Sequence, residues 1–163
     1  MDNDRKLKVS AIKDGTVIDH IPPQSLFKVI EILGLDHTDN QITFGTNLES
    51  KQLGKKAIIK ITDSFFEDED INRIALIAPD AKFNIIRNYE VVEKRKVAIP
   101  EQIRGIAKCF NPKCITNHQS IETYFATRKE RGSISLICHY CEKITEPKNL
   151  QIISKSSTYP TNF

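Results

Sequence analysis

The sequence predicts an α+β protein with two domains. Three features indicate this: period-2 alternation of apolar residues in the first hundred positions, two helical stretches between those strands, and a charged segment around Pro100. They predict an antiparallel sheet with two helices on one face, a ferredoxin-like fold, over residues 1–98. A small mostly-β domain is expected over residues 99–163.

The first domain is expected to follow the order ββαββαβ. Asp14-Gly15 separates two β-branched runs and is typical of a hairpin turn. The expected strands cover 7–13, 16–21, 41–48, 56–62 and 82–94, and the expected helices cover 22–35 and 67–79.

Each expected helix has an apolar face and clear ends. The first begins after Pro22-Pro23 and ends at Gly34, and the second has an acidic first turn and ends before Pro79. Their apolar faces consist of Leu26, Val29, Ile30 and Leu33 in the first and Ile71, Ile74, Ala75 and Ala78 in the second.

Composition argues against a membrane protein and a secreted protein. The 163 residues contain 39% hydrophobic and 28% charged residues, no apolar run long enough for a membrane helix, and a charged N-terminus. We therefore expect a cytoplasmic protein. Residues 101–163 carry an excess of four positive charges, which falls to two if four thiolates hold one divalent ion. This excess is too small to indicate a nucleic-acid surface.

All four cysteines lie in two short motifs of the second domain. They are "CFNPKC" at 109–114 and "CHYC" at 138–141. A cytosolic segment with few large apolar residues and two such motifs is typical of a structural zinc site. The expected ligands are Cys109, Cys114, Cys138 and Cys141. Four thiolates close the coordination shell, so catalysis at this ion is not expected; free or buried thiols are the alternative.

Basic residues of the first domain suggest an anion site. Lys56 and Lys60 share a face of one expected strand, Lys94 ends another, and Asp19 and His20 end a third. If these ends converge, they would surround a phosphorylated ligand; solvated lysines on an exposed face are the alternative. Strand alternation predicts that Asp19 and His20 point to opposite faces. No motif for a catalytic nucleophile, a paired acid and base, or a P-loop is present.

Several blocks together resemble the regulatory chain of aspartate carbamoyltransferase. They are "LKVSAIKDGTVIDHIP", "ITFGTNL", "NYEVVEK" and "IPEQI", combined with the cysteine motifs, and they span nearly the whole chain. The resemblance implies a subunit that is not an enzyme. It implies regulatory dimers, three of which bridge two catalytic trimers that make carbamoyl aspartate in pyrimidine biosynthesis, and binding of ATP, CTP and UTP.

The resemblance also implies roles for individual residues. It places the nucleotide at Val9, Ser10, Ala11, Ile12, Lys13, Asp19, His20, Lys60, Asn84, Ile86, Tyr89, Val91 and Lys94. It makes the four cysteines zinc ligands and puts Asn111, Lys113 and Glu142 at the contact with the catalytic chain. Lys113 stands where one member of that family has asparagine, so this contact is expected to differ in detail.

The competing hypothesis is a zinc-ribbon protein that binds nucleic acid. Its support is the cysteine motifs together with "TRKERG" at 127–132, which follows Tyr124 and Phe125. Basic and aromatic side chains in such proximity can hold a single strand by stacking and by charge.

Overall fold

The computed structural model describes residues 11–131 and 133–153. Its first seven strands and α-helices are β1 (Gly15–Ile21), α1 (Leu26–Ile32), β2 (Ile42–Ser50), β3 (Gly54–Thr62), α2 (Asp68–Ala75), β4 (Lys82–Arg87) and β5 (Glu90–Lys96). Four short strands follow: β6 (Gln102–Arg104), β7 (Tyr124–Glu130), β8 (Ser133–Cys138) and β9 (Ile144–Thr145). No helix among the described residues is long and apolar enough to cross a membrane.

The first sheet confirms the predicted fold class. Its five strands are all antiparallel and lie in the order β2-β3-β1-β4-β5. The chain order βαββαβ with the spatial order β2-β3-β1-β4 is the ferredoxin-like arrangement. β5 extends it at one edge.

The predicted hairpin around Asp14-Gly15 is wrong. β1 pairs with β3 on one side and with β4 on the other, so it has no free side for a preceding strand. Within the run expected as a strand, residues 11–13 are not in a strand, and residues 7–10 lie outside the described part. Gly15 belongs to β1 itself, at φ +142°. The Lys13 carbonyl accepts a hydrogen bond from the N–H of Tyr89, at 2.8 Å, instead of pairing with β1.

The single strand predicted over 82–94 is also wrong, because two strands occupy that region. β4 and β5 form a hairpin whose turn residues, Asn88 and Tyr89, have φ values of 51° and 67°. Two left-handed residues in succession make the turn type that suits the twist of a β-hairpin. The Asn88 N–H also donates to the Asp14 side chain at 3.0 Å.

The core lies between one face of this sheet and the two helices. Ile18 is in register with Ile59 on β3 and with Phe83 on β4, and all three are fully buried. The helix side chains that pack against them include Leu26 and Ile74, also fully buried. Both helices therefore cover the same face, as predicted, and the other face of the sheet is left open.

The second sheet is small, antiparallel and ordered β6-β7-β8-β9. The sequence predicted strands at 121–128 and 134–139, which correspond to β7 and β8, and it missed the three-residue β6 and the two-residue β9. Phe125 and Leu136 are buried beneath the sheet. Arg73 of α2 reaches the C-terminal segment: it donates to the Ile153 carbonyl at 3.4 Å, with its side chain almost fully buried.

Candidate functional site

The four cysteines form one compact cluster. Their sulfur atoms all lie within 4.8 Å of one another, with 3.6 Å between Cys109 and Cys141 and 3.8 Å between Cys114 and Cys138. All four are free thiols. Tetrahedral zinc with Zn–S bonds of about 2.3 Å gives S···S edges of roughly 3.8 Å. The donor set and its spacing therefore fit a tetrahedral metal ion.

Local hydrogen bonds shape both cysteine loops. The Cys114 N–H donates to the Asn111 carbonyl at 3.0 Å, and the Glu142 N–H donates to the Cys138 carbonyl at 2.9 Å. The Asn117 side chain donates to the Asn111 carbonyl at 2.8 Å. Each loop is thus closed on itself by its own hydrogen bonds. The Thr116 hydroxyl donates to the Cys114 sulfur at 3.2 Å, as an outer partner of a metal ligand does.

The cysteine thiols have shifted acidities. Burial raises the pKa of Cys109 and of Cys138. Burial also acts to raise the pKa of Cys141, but hydrogen bonds from the Asn111 side chain, the Lys143 backbone and the neighbouring thiols outweigh it and lower it to about 7. Gathering four thiolates in a mostly buried site requires a cation to balance their charge.

The surface around the cluster carries exposed charged side chains and exposed apolar side chains. Lys113 and Glu142 are exposed, and the Asn111 side chain accepts a hydrogen bond from the Lys113 N–H at 3.1 Å. Among the described residues of this domain, the large apolar side chains that are exposed are Phe110, Ile115, Tyr140 and Ile144. Exposed apolar residues gathered on a small domain are typical of a protein–protein contact.

The open face of the first sheet carries a row of paired residues. Thr43, Lys60, Val17, Asn84 and Lys94 are successive cross-strand neighbours on β2, β3, β1, β4 and β5. Lys60 and Lys94 are thus three strands apart, about 14 Å at the usual strand spacing. The strand register brings these two lysines into one row.

A cleft of about 390 Å³ opens along this face, within the size range of small-molecule sites. Its lining residues are Asp19, His20, Lys82, Asn84, Val91, Lys94, Arg95 and Lys96. The resemblance assigned five of these to a nucleotide site. Lys82, Arg95 and Lys96 were not assigned, although the register of β4 and β5 places Lys82 directly opposite Lys96.

Asp19 and His20 line the same cleft, which corrects the expectation from strand alternation. The pairing of β1 with β3 is irregular between Ile18 and Ile21, and His20 has φ 59°. The bulge rotates His20 toward the side of Asp19, and the backbone N–H of His20 donates to the Asp19 carboxylate at 2.6 Å. Lys56 binds the same carboxylate, with Nζ 2.9 Å from Oδ1.

The remaining expected nucleotide residues lie around the row. Ala11, Ile12 and Lys13 precede β1 beside the β4–β5 turn, whereas Val9 and Ser10 lie outside the described residues. Ile86 is buried, and Tyr89 and Val91 are exposed. Burial lowers the pKa of Lys60, and the Asp19 carboxylate partly opposes this shift. An anionic ligand would favour the charged form of this lysine further.

The side chains that suggested nucleic-acid binding are buried or contact other side chains of the protein. Phe125 is fully buried, so it offers no stacking surface. The Arg104 guanidinium carbon lies 3.9 Å from the centroid of the Tyr124 ring and covers it. The ring centroids of Tyr124 and His139 are 4.7 Å apart. Arg128 donates to Glu130 at 2.7 Å. Neither aromatic side chain is available to stack on a strand of bases.

Comparisons with known proteins agree with one another. Residues 7–98 match the family model described as the allosteric domain of the aspartate carbamoyltransferase regulatory chain, and residues 101–151 match its metal binding domain. The chain is similar to proteins named as that regulatory chain in several organisms. It is 53% identical to one from Phocaeicola vulgatus, and the aligned region covers 93% of this chain and 97% of the relative. The identity is 52% for Bacteroides fragilis, over 93% and 99%, and 50% for Pyrococcus horikoshii, over 89% and 96%.

Proposed function

Because the chain belongs to the family of aspartate carbamoyltransferase regulatory chains, a non-catalytic subunit, we propose that it binds ATP, CTP and UTP and transmits their effect to carbamoyl aspartate synthesis in pyrimidine biosynthesis. The proposed location is the cytoplasm. The observation that carries this proposal is the cleft on the open face, where Lys94, His20 and Asn84 converge within a volume suited to a small anion.

The nucleotide is proposed to lie along the cross-strand row. The backbone of residues 9–13 would meet the base, Asp19 and His20 the ribose and phosphates, and Lys60 the ribose or the nearest phosphate. Lys94 would bind the triphosphate, and Asn84, Ile86, Tyr89 and Val91 would form the far wall. The separation of about 14 Å between the backbones of Lys60 and Lys94 supports this, because a nucleoside triphosphate is extended on that scale.

We propose that the cysteine cluster holds one Zn²⁺ per chain. Four thiolates at tetrahedral spacing suit zinc, and a closed shell leaves no position for substrate, so the ion is structural. The residues that hold it shape the loops that carry Asn111, Lys113 and Glu142. Those loops, with the apolar side chains beside them, are the proposed contact with the catalytic chain.

We propose that the chain also pairs with a second copy of itself along β2. β2 is an edge strand with no partner on its outer side among the described residues. Phe44 on β2 and Phe27 on α1 are 47% and 69% exposed, with their ring centroids 5.9 Å apart. An exposed strand edge next to two aromatic rings favours self-association. Three such dimers would bridge two catalytic trimers.

Regulation follows from differential affinity. A nucleotide shifts the balance between two states of the assembled enzyme only if it binds them unequally, and such coupling is typically about 1–3 kcal/mol. ATP and CTP would share one cleft, and opposite effects would arise from small differences in how each fills it.

Reconstitution tests the proposal directly. The purified chain is mixed with catalytic trimers, and enzyme activity is measured with ATP, CTP and UTP across substrate concentrations. The expected result is a larger complex whose activity changes with nucleotide. A complex that responds to no nucleotide would contradict the regulatory role, and failure to form any complex would contradict the proposed docking surface.

Replacing Lys94 by Ala tests the placement of the phosphates. The change should weaken ATP binding by roughly ten- to a hundredfold, since a charged hydrogen bond contributes about 1.5–3 kcal/mol, and should leave adenosine binding nearly unchanged. Isothermal titration of the full chain measures both. Equal weakening of nucleoside and triphosphate would show that Lys94 does not meet phosphate. Lys28→Ala, an exposed residue on α1 behind the sheet, is the control for the change in charge.

A further inference from the structure

Two lysines in the cleft face each other without a compensating acid. Lys82 on β4 and Lys96 on β5 are direct cross-strand partners, and both line the cleft together with Lys94. Like charges placed directly opposite each other destabilise a sheet. Among the described residues, neither Lys82 nor Lys96 has a carboxylate within ion-pair distance.

The carboxylate that is paired across the strands with Lys82 is engaged elsewhere. Asp19 is the cross-strand neighbour of Lys82 on β1. Its two oxygens lie 2.9 and 3.2 Å from the Lys56 Nζ, and it also accepts the His20 N–H. Lys82 and Lys96 also belong to the lining of a smaller cleft of about 180 Å³, together with Asp80. The pair therefore lines two clefts.

We propose that Lys82 and Lys96 together bind the terminal phosphate of a nucleoside triphosphate and so make this cleft selective for triphosphates over monophosphates. The inference rests on the nucleotide-binding role proposed above and specifies which residues distinguish a triphosphate from a monophosphate. A terminal phosphate placed between the two ammonium groups removes their mutual repulsion and provides acceptors for both.

The strand geometry supports a terminal phosphate at Lys82 and Lys96 and the preceding phosphates at Asn84 and Lys94. Lys94 and Lys96 are two residues apart on β5, so they share a face and lie about 7 Å apart along the strand. The same step separates Asn84 from Lys82 on β4. A phosphate chain that begins at the Asn84–Lys94 pair and runs parallel to the strands reaches the Lys82–Lys96 pair one step later.

The test measures phosphate selectivity of the full chain. Isothermal titration with ATP, ADP and AMP is performed on the wild-type chain, Lys82→Gln, Lys82→Arg and the charge control Lys28→Gln, with thermal melts confirming that each variant is folded. Lys82→Gln should bind ATP roughly tenfold more weakly and AMP unchanged within about twofold. Lys82→Arg keeps the positive charge and should retain the preference for ATP. Lys28→Gln should bind all three nucleotides as the wild-type chain does.

The outcomes separate this inference from the proposed function. If Lys82→Gln weakens ATP and AMP equally, the residue only adds background potential and the inference is wrong. Unchanged selectivity in Lys82→Gln also overturns it, while the cleft remains a nucleotide site. If the wild-type chain binds none of the three nucleotides, both the inference and the nucleotide-binding role fail.

Discussion

Replacing Cys114 by Ser should remove the metal and unfold the C-terminal domain while leaving the first domain able to bind nucleotide. Cys114 is 1% exposed, and its sulfur lies 3.8 Å from that of Cys138. A serine hydroxyl is a poor ligand at neutral pH, so three thiolates would remain around the ion.

The expected effect is large because of how little else holds this domain. Zinc binding contributes about 10–16 kcal/mol to the folding of small zinc domains, whereas a whole domain is typically stable by about 5–15 kcal/mol. The largest fully buried apolar side chains of the second domain are Ile103, Phe125 and Leu136. So small a core does not compensate for the loss of the ion.

Three measurements on the full chain test this expectation: zinc content by mass spectrometry, amide hydrogen exchange across β7 and β8, and ATP affinity by titration. Cys114→Ser should lose zinc, exchange protection and assembly with catalytic trimers, with ATP affinity within about threefold of wild type. Lys113→Ala, which changes an exposed residue of the same loop, should keep zinc and protection. Retained protection in the metal-free variant would refute the structural role of the ion. An equal loss of ATP affinity would refute the independence of the two domains.

Three further substitutions, one of them a control, test the sheet and its edge. Gly15→Ala should destabilise the chain by more than about 3 kcal/mol in urea denaturation, because a Cβ there would lie 2.0 Å from the Ile61 carbonyl oxygen at φ +142°. Gly54→Ala has open space at φ +78° and should cost only about 1 kcal/mol, so equal losses would contradict the steric argument. Phe44→Ser should convert the proposed dimer to monomer in sedimentation, since Phe44 and Phe27 form the exposed aromatic pair beside β2; an unchanged dimer would place the interface elsewhere.

Local patterns predicted the elements whose burial follows a simple period. Ala57, Ile59 and Ile61 alternate in the sequence, and all three are fully buried on β3. Prediction failed at turns. Asp14-Gly15 has the composition of a hairpin turn, but β1 has both neighbours supplied by distant strands. The turn at Asn88-Tyr89 was missed because tyrosine seldom adopts a left-handed conformation, and the prediction therefore continued the strand through it.

In the candidate site, too, local spacing predicted one part and missed the parts that depend on strand pairing. The cysteine motifs predicted their own cluster, because two loops that each carry a pair of ligands have few ways to meet other than at one ion. Periodicity could not show that Lys60 and Lys94 share a row, since that depends on the order of strands in the sheet. It also placed His20 on the wrong face, because a bulge interrupts the alternation.

By itself, the sequence determined the fold class, the two amphipathic helices, the cysteine cluster and the family, since these depend on local spacing or on residues present in a recognisable order. Only the tertiary structure decided which lysines face one another. Lys82 and Lys96 are fourteen positions apart, and their opposition follows from the β4–β5 register, which the left-handed turn and the irregular pairing between Ile85 and Ile86 set together. Side-chain proximity in a sheet is a property of pairing across strands, and a register shift of one residue between β4 and β5 would place Lys82 opposite a residue other than Lys96.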